Sequence, residues 1–297
     1  MGSNQGLNSV LSSESLMLAL PECAHHARPG TAMYKFLAAA AEDVLTPMFG
    51  PNILPMARPF GPFGYINFPY RRMGTIDSLN LFGLDELFIF AFYWENRNIY
   101  RRVADVGANI GLHSLIMSRC GYDVTSYEPD PTHILMLRET LRLNALTDVG
   151  IVESAVSDRS GEVEFIRVLN NTTGSHIAGA KPNPYGDTEC FQVTTVPASN
   201  IIGKFDLVKV DAEGQEAVII LSTCSAQWDY TDVILEIGSV KNAEAIYEHC
   251  LDLNLSMFVQ KTGWRRARNV EDVPVSYHEG SAFITRRSSM PGFKVSN

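Results

Sequence analysis

From Val103 onward the chain alternates short apolar runs with longer amphipathic ones. Runs of strand length fall at 103–106, 123–127 and 149–152, while 111–120 and 131–144 repeat apolar residues at helical spacing, with Ile134, Leu137 and Leu141 on the core face of the second. Strands separated by helices of about ten to fifteen residues predict parallel βαβ units wound right-handed, hence an α/β fold. The alternation breaks over 157–196. There GEVEFIRV and CFQVTTV read as two strands joined by a loop rich in Gly, Asn and Pro, a hairpin-like insertion. It resumes with the strand FDLVKVD, a helix over 214–221, the strand DVILEIG, a helix over 242–253, and closing strands near 256–259 and 282–285.

The first third of the chain reads differently. Residues 1–30 are rich in Ser, Asn and Gly and are expected to be flexible, apart from a helix over 12–20. The Ala and Leu content of 31–45 predicts a helix that Pro47 ends. Pro47, Pro51, Pro55, Pro59, Pro62 and Pro69 then break regular structure, so this stretch is expected to cover another surface as an extended segment. The dense apolar content of 77–96 predicts a buried helix feeding the core. The expected division is an N-terminal flexible segment with a helical, Pro-rich lobe over 1–75, then one domain over 76–297.

Composition narrows the function. At 297 residues and 45% hydrophobic content the chain has enough apolar material for a large core. A net charge of -9 provides no global positive field for nucleic acid or an anionic membrane. The cysteines at 23, 120, 190, 224 and 250 have neither zinc-ligand nor disulfide-framework spacing, which fits a reducing cytoplasm and no metal site. No basic segment precedes the short apolar run near the start, so a secretory signal is not expected. Gly6 stands where a myristoylation motif requires Ser or Thr, and no apolar run reaches bilayer length.

The stretch VADVGANIG carries the first chemical signal. A strand that ends in a glycine turn and enters a helix lets a ligand approach the backbone, and an acidic residue after the next strand suits a ribose. Gly107 and Gly111 frame the turn, and Glu128 in TSYEPDP is the acidic residue. A dinucleotide fingerprint needs a further Gly where GANIG has Ala and Asn, and Asp105 at the strand end would repel a pyrophosphate. S-adenosylmethionine fits better: its ammonium is expected to reach Asp105 directly or through water, its carboxylate the turn amides, and its ribose hydroxyls Glu128. His113, two residues past the turn, is a weaker candidate for the cofactor face.

The second signal is FDLVKVDAEGQE. A buried parallel strand should be nearly all apolar, yet Lys209, Asp211 and Glu213 punctuate this one at alternate positions near the carboxyl end, where open α/β sheets bind ligands. A Lys beside carboxylates keeps them ionised, so Asp211 or Glu213 is expected to orient a substrate hydroxyl or accept its proton. Gly214 is expected to let a ligand approach the backbone. Ser175 and His176 in the polar insertion loop, and Glu236 at the end of DVILEIG, are further candidates for substrate contact or proton transfer.

In order, DVGANIG, YEPDP with LRLNAL, AVSDRSGEVEF and VKVDAEGQE resemble the motifs of FkbM-type methyltransferases. The resemblance implies a Rossmann-like class I methyltransferase fold, with a mostly parallel seven-stranded sheet, helices on both faces and a final antiparallel strand. It implies O-methylation of a sugar, glycan or polyketide-type hydroxyl, with S-adenosylhomocysteine as product. It places cofactor contacts at Asp105, Gly107, Asn109, Gly111 and Glu128, adenine near Ser154 and Ala155, and Glu86 toward the methionine end. Two departures bear on the acceptor: the family usually has a β-branched or apolar residue where Ala212 stands, and the strand after it often continues to a His or Asn where this chain reads EIGS. An RNA 2'-O-methyltransferase would want a basic groove that the charge does not supply. A non-catalytic cofactor- or glycan-binding module and a dehydrogenase are the remaining classes.

Overall fold

A computed structural model describes residues 11–181 and 186–293. The expectations for residues 1–10, including Gly6, and for part of the insertion loop lie outside the described residues. Helices α1 (Ser13–Cys23) and α2 (Ala32–Phe49) come first, followed by a short ribbon of β1 (Arg58–Pro59) with β2 (Tyr65–Ile66), and then α3 (Leu84–Glu95). The alternating region begins with β3 (Arg102–Val106), α4 (Leu112–Arg119), β4 (Asp123–Tyr127), α5 (Pro131–Leu143) and β5 (Gly150–Val152). The interruption holds β6 (Ala155–Ser157), β7 (Gly161–Val168), β8 (His176–Ile177) and β9 (Thr188–Pro197). The chain then forms β10 (Leu207–Val210), α6 (Glu216–Leu221), β11 (Asp232–Glu236), α7 (Val240–Asp252), β12 (Ser256–Val259), β13 (Arg265–Arg266) and β14 (Ser281–Thr285).

The main sheet runs β13-β12-β14-β11-β10-β3-β4-β5, parallel from β11 to β5, with β14 antiparallel between β11 and β12. This is the α/β sheet that the alternation predicts, with one strand more than expected. The extra strand is β13, which Gly263 makes possible by turning the chain back at φ +78. Its two exposed arginines carry no strand periodicity. Alternating residues divide between two cores. Val103, Leu207, Ile234 and Phe283 pack under α3 and α4, while Ala104, Val106, Val208, Val210, Val233 and Leu235 face the layer that includes α6 and α7. Each large apolar side chain so buried contributes about 1.5–3 kcal/mol.

Three local expectations change. The insertion is a four-stranded sheet, β6-β9-β7-β8, because two very short strands add to the edges of the β7–β9 hairpin. Helix α2 continues past Pro47 to Phe49, whose ring stacks on Phe82 at 4.8 Å and meets Phe60 edge-on at 5.9 Å. That aromatic contact holds the last turn despite the backbone bond that proline forfeits. The expected 77–96 helix begins only at Leu84. Asp77 accepts from Leu79 N–H (2.9 Å) and Asn80 from Asp77 N–H (3.0 Å), and these local side-chain bonds compete with helix formation. Upstream, Leu16, Met17 and Leu20 of α1 are buried and join the same core as α3.

The chain reverses its direction of winding between β3 and β10, the topological switch point where such sheets open a crevice. The loops leaving these two strands touch: a Cβ on Gly107 would lie 1.9 Å from the Asp211 carbonyl oxygen, at φ +78. Gly107→Ala is therefore expected to destabilise the fold by about 2 kcal/mol or more, enough to lower Tm by several degrees in a circular-dichroism melt. An unchanged Tm would show that these loops part freely.

Candidate active site

The turn after β3 is built from its backbone. Gly107 and Ala108 N–H both donate to the Tyr127 carbonyl at 3.0 Å, and Asn109 and Gly111 have left-handed φ of +50 and +87. Gly111 is also required by packing, since a Cβ there would lie 2.4 Å from Leu137 of α5. Glu128 is buried behind the turn, accepting Asn109 N–H (2.8 Å) on one oxygen and Asp130 N–H (2.9 Å) on the other. Asp130 caps α5 and takes two hydrogen bonds from Arg167 of β7. Burial opposes ionisation of Asp130, but Arg167 and His133 outweigh it and hold its pKa down.

Across the switch point, Asp105 and Lys209 are register partners on one face of the sheet. Asp105 is fully buried; one oxygen accepts from Ser114 Oγ (2.6 Å), and the other lies 3.9 Å from Lys209 Nζ. Lys209 donates to Asp211 at 3.0 Å. Burial alone would lower the lysine pKa, but Asp211, Asp105 and Glu86 reverse this and hold it above the usual value. Burial would raise Asp211, yet Lys209 dominates, so Asp211 stays ionised below the usual range. Glu86, in the first turn of α3, meets His113 Nε2 at 2.8 Å. These groups share one cleft with the turn, lined by Glu86, Gly107, Asn109, His113, Lys209 and Asp211. Glu236 ends β11 on the same rim, where burial, then Asp211 and Glu86, push its pKa well up.

The other candidates lie apart or are engaged. Strand β10 ends at Val210, and Glu213 has φ +28, so alternation stops short of it; it pairs with Lys181 of the insertion instead of Lys209. The space beside Gly214 is taken by the Ala180 carbonyl, 2.9 Å from where a Cβ would sit, so this glycine admits the insertion. His176 is buried on β8, its Nδ1 at 2.9 Å from the Gly174 carbonyl and its pKa lowered by burial. Ser175 Oγ closes its own loop on Thr172 and Val168. Ser154 bonds Thr194 at 2.6 Å, and Ala155 packs with Phe165 and Val193 in the core of the second sheet.

Sequence reasoning missed two groups. Tyr93 reaches His113 Nδ1 at 3.0 Å. Its signal was a spacing of seven from Glu86 within one helix, which puts both on one face. Glu216 accepts Gly214 N–H (2.9 Å) and shapes the loop after β10. Burial pushes its pKa up to about 7. Among the described residues no helix is long and apolar enough to cross a membrane.

The sequence profile of the methyltransferase FkbM domain matches residues 105–263. No curated protein matches the chain. Among solved structures, it is similar to methyltransferase FkbM from Methylobacillus flagellatus KT at 13% identity, over 67% of this chain and 53% of that one, with a TM-score of 0.39. It is also similar to a ribosomal protein L11 methylase from Lactobacillus delbrueckii subsp. bulgaricus (15% identity, 67% and 77% covered, TM-score 0.38). A third is the SAH-bound methyltransferase PaMTH1 of Podospora anserina (11% identity, 68% and 79% covered, TM-score 0.35). The chain thus spans about half the length of the first of these, 53%.

Because Glu216 has a raised pKa in the folded state, its stabilising share is full below the unfolded value of 4.5 and is lost as pH rises through about 7. Glu216→Gln is therefore expected to gain on the wild type between pH 5 and 8.5 by about 2–3 kcal/mol of unfolding free energy. Urea denaturation at the two pH values measures this, and a constant difference would mean that Glu216 titrates normally.

Proposed function

The chain belongs to the methyltransferase FkbM domain family, and from that membership we propose that it is an S-adenosylmethionine-dependent O-methyltransferase acting on a hydroxyl of a sugar, a glycan or a polyketide-type small molecule. The observation that carries the reading is the cleft at the switch point, where the glycine turn faces the Lys209–Asp211 pair. The turn suits the cofactor on chemical grounds. The buried Oδ1 of Asn109 lacks a hydrogen-bond partner among the described residues and is available to a ligand's donors.

When bound, the cofactor supplies an electrophilic methyl carbon on its sulfonium. We assign Gly107, Asn109 and Gly111 to shaping its seat, Glu128 to its ribose, Ser154 and Ala155 to the adenine side, and Asp105 and Glu86 to the methionine end. Lys209 holds Asp211 ionised beside the cleft, so Asp211 is ready to orient an acceptor hydroxyl and draw off its proton as the new bond forms. Glu236, on the rim of the same cleft, is assigned to acceptor contact, whereas Glu213, His176 and Ser175 are engaged with Lys181, Gly174 and Thr172 and are given no role in the chemistry. The excess of carboxylates around the cleft favours a neutral or cationic acceptor over an anionic one.

Calorimetry should show micromolar, one-to-one binding of S-adenosylhomocysteine and none of NAD; the reverse result would make the glycine turn a dinucleotide site. Glu128→Ala is expected to weaken that binding about tenfold or more, the loss of one charge-assisted hydrogen bond. With an acceptor found by screening sugars and polyketides for methyl uptake, Asp211→Asn is expected to lower turnover by about a hundredfold while leaving cofactor affinity within about threefold. Full turnover in that variant would remove Asp211 from the chemistry.

A further inference from the structure

We propose that Tyr93 and His113 are positioning residues that hold Glu86 as the seat for the cofactor's α-ammonium. The inference rests on the S-adenosylmethionine reading above and changes where the ammonium goes. Asp105 was the expected partner, but it is fully buried, and its open oxygen faces Lys209 Nζ at 3.9 Å. A second cation there would meet the lysine. Asp211 is likewise committed to Lys209, at 3.0 Å. Glu86 lines the same cleft with its side chain 19% exposed, and only its Oε2 has a hydrogen-bond partner among the described residues. Its Oε1 is left to accept from a ligand.

The protons in this chain follow from which groups are donors. Tyr93 is fully buried, and burial, followed by the nearby Asp105 and Glu86, raises its pKa, so the phenol keeps its proton. In the proposed arrangement its hydroxyl is the donor to His113 Nδ1, 3.0 Å away. An accepting Nδ1 places the imidazole proton on Nε2, which donates to Glu86 Oε2 at 2.8 Å. In this arrangement Glu86 receives a hydrogen bond on Oε2 and keeps Oε1 open to a ligand. The geometry is rigid: Phe90 meets the imidazole edge-on at 4.9 Å, and Tyr122 Oη donates to the Tyr93 carbonyl at 2.6 Å. Helices α3 and α4 are thereby joined at the point where they frame the cleft.

The test compares binding of S-adenosylhomocysteine with that of its analogue lacking the α-amino group, in wild type, Glu86→Gln, His113→Leu, His113→Gln and Tyr93→Phe. The wild type is expected to prefer the amino form by about tenfold or more. Glu86→Gln and His113→Leu should lose that preference, whereas His113→Gln, whose amide N–H still donates, should keep most of it. Nitrogen-15 NMR of histidine-labelled protein should show His113 as the Nε2–H tautomer, and as a tautomer mixture in Tyr93→Phe. Retained preference in His113→Leu, an Nδ1–H tautomer in the wild type, or wild type that binds both ligands equally would overturn the inference alone. Wild type that binds neither would overturn the cofactor reading and this inference with it.

Discussion

The site depends on a lysine ammonium placed inside a parallel sheet. Lys209 lies on β10 between Ile234 of β11 and Asp105 of β3, and its charge is tolerated because Asp105 and Asp211 stand at 3.9 and 3.0 Å. Removing one partner of such a buried group leaves an uncompensated charge, at a cost of about 3–5 kcal/mol. The pairing therefore adds a side-chain tie between β3 and β10 at the switch point. It also sets the electrostatics of the cleft, since the same ammonium that faces Asp105 holds Asp211 ionised.

The remainder of the site is arranged around that fixed charge. Glu128 organises the glycine turn from behind through two backbone amides, one on each carboxylate oxygen. Glu86 enters from α3 and is oriented by a helix that belongs to no βαβ unit. The N-terminal segment reinforces this helix: Tyr34 of α2 donates to Asp85, and Gln260, beyond β12, donates to the same carboxyl. Burial pushes Asp85 up to about 6, against those two hydrogen bonds, so the start of α3 is sensitive to proton concentration near neutrality.

Much of this was legible in the sequence because period and spacing are local. The strands at 103–106 and 123–127, the glycine turn and the Lys209–Asp211 pair all follow from residues within one or two elements. What was hidden depends on distant partners. No pattern within VKVDAEGQE shows that Glu213 meets Lys181, or that Gly214 accommodates Ala180, since both contacts cross about thirty residues of insertion. The strands β6, β8 and β13 were too short for periodicity to register, and the end of α2 was set by Phe82 and Phe60, not by Pro47. Tyr93 was concealed in another way. In LFIFAFYW a hydroxyl among so many rings reads as one more core residue.

The second sheet is joined to the main one by ion pairs that each have one member on either side: Arg167 with Asp130, and Lys181 with Glu213. This gives the 155–197 segment the character of a cassette with a keyed connector. Exchanging it for a relative's segment would strand Asp130 and Glu213 unless the incoming piece carries basic residues at both contacts. Any successful chimera would have to keep both pairs matched across that junction, with the glycine beside Ala180 in place.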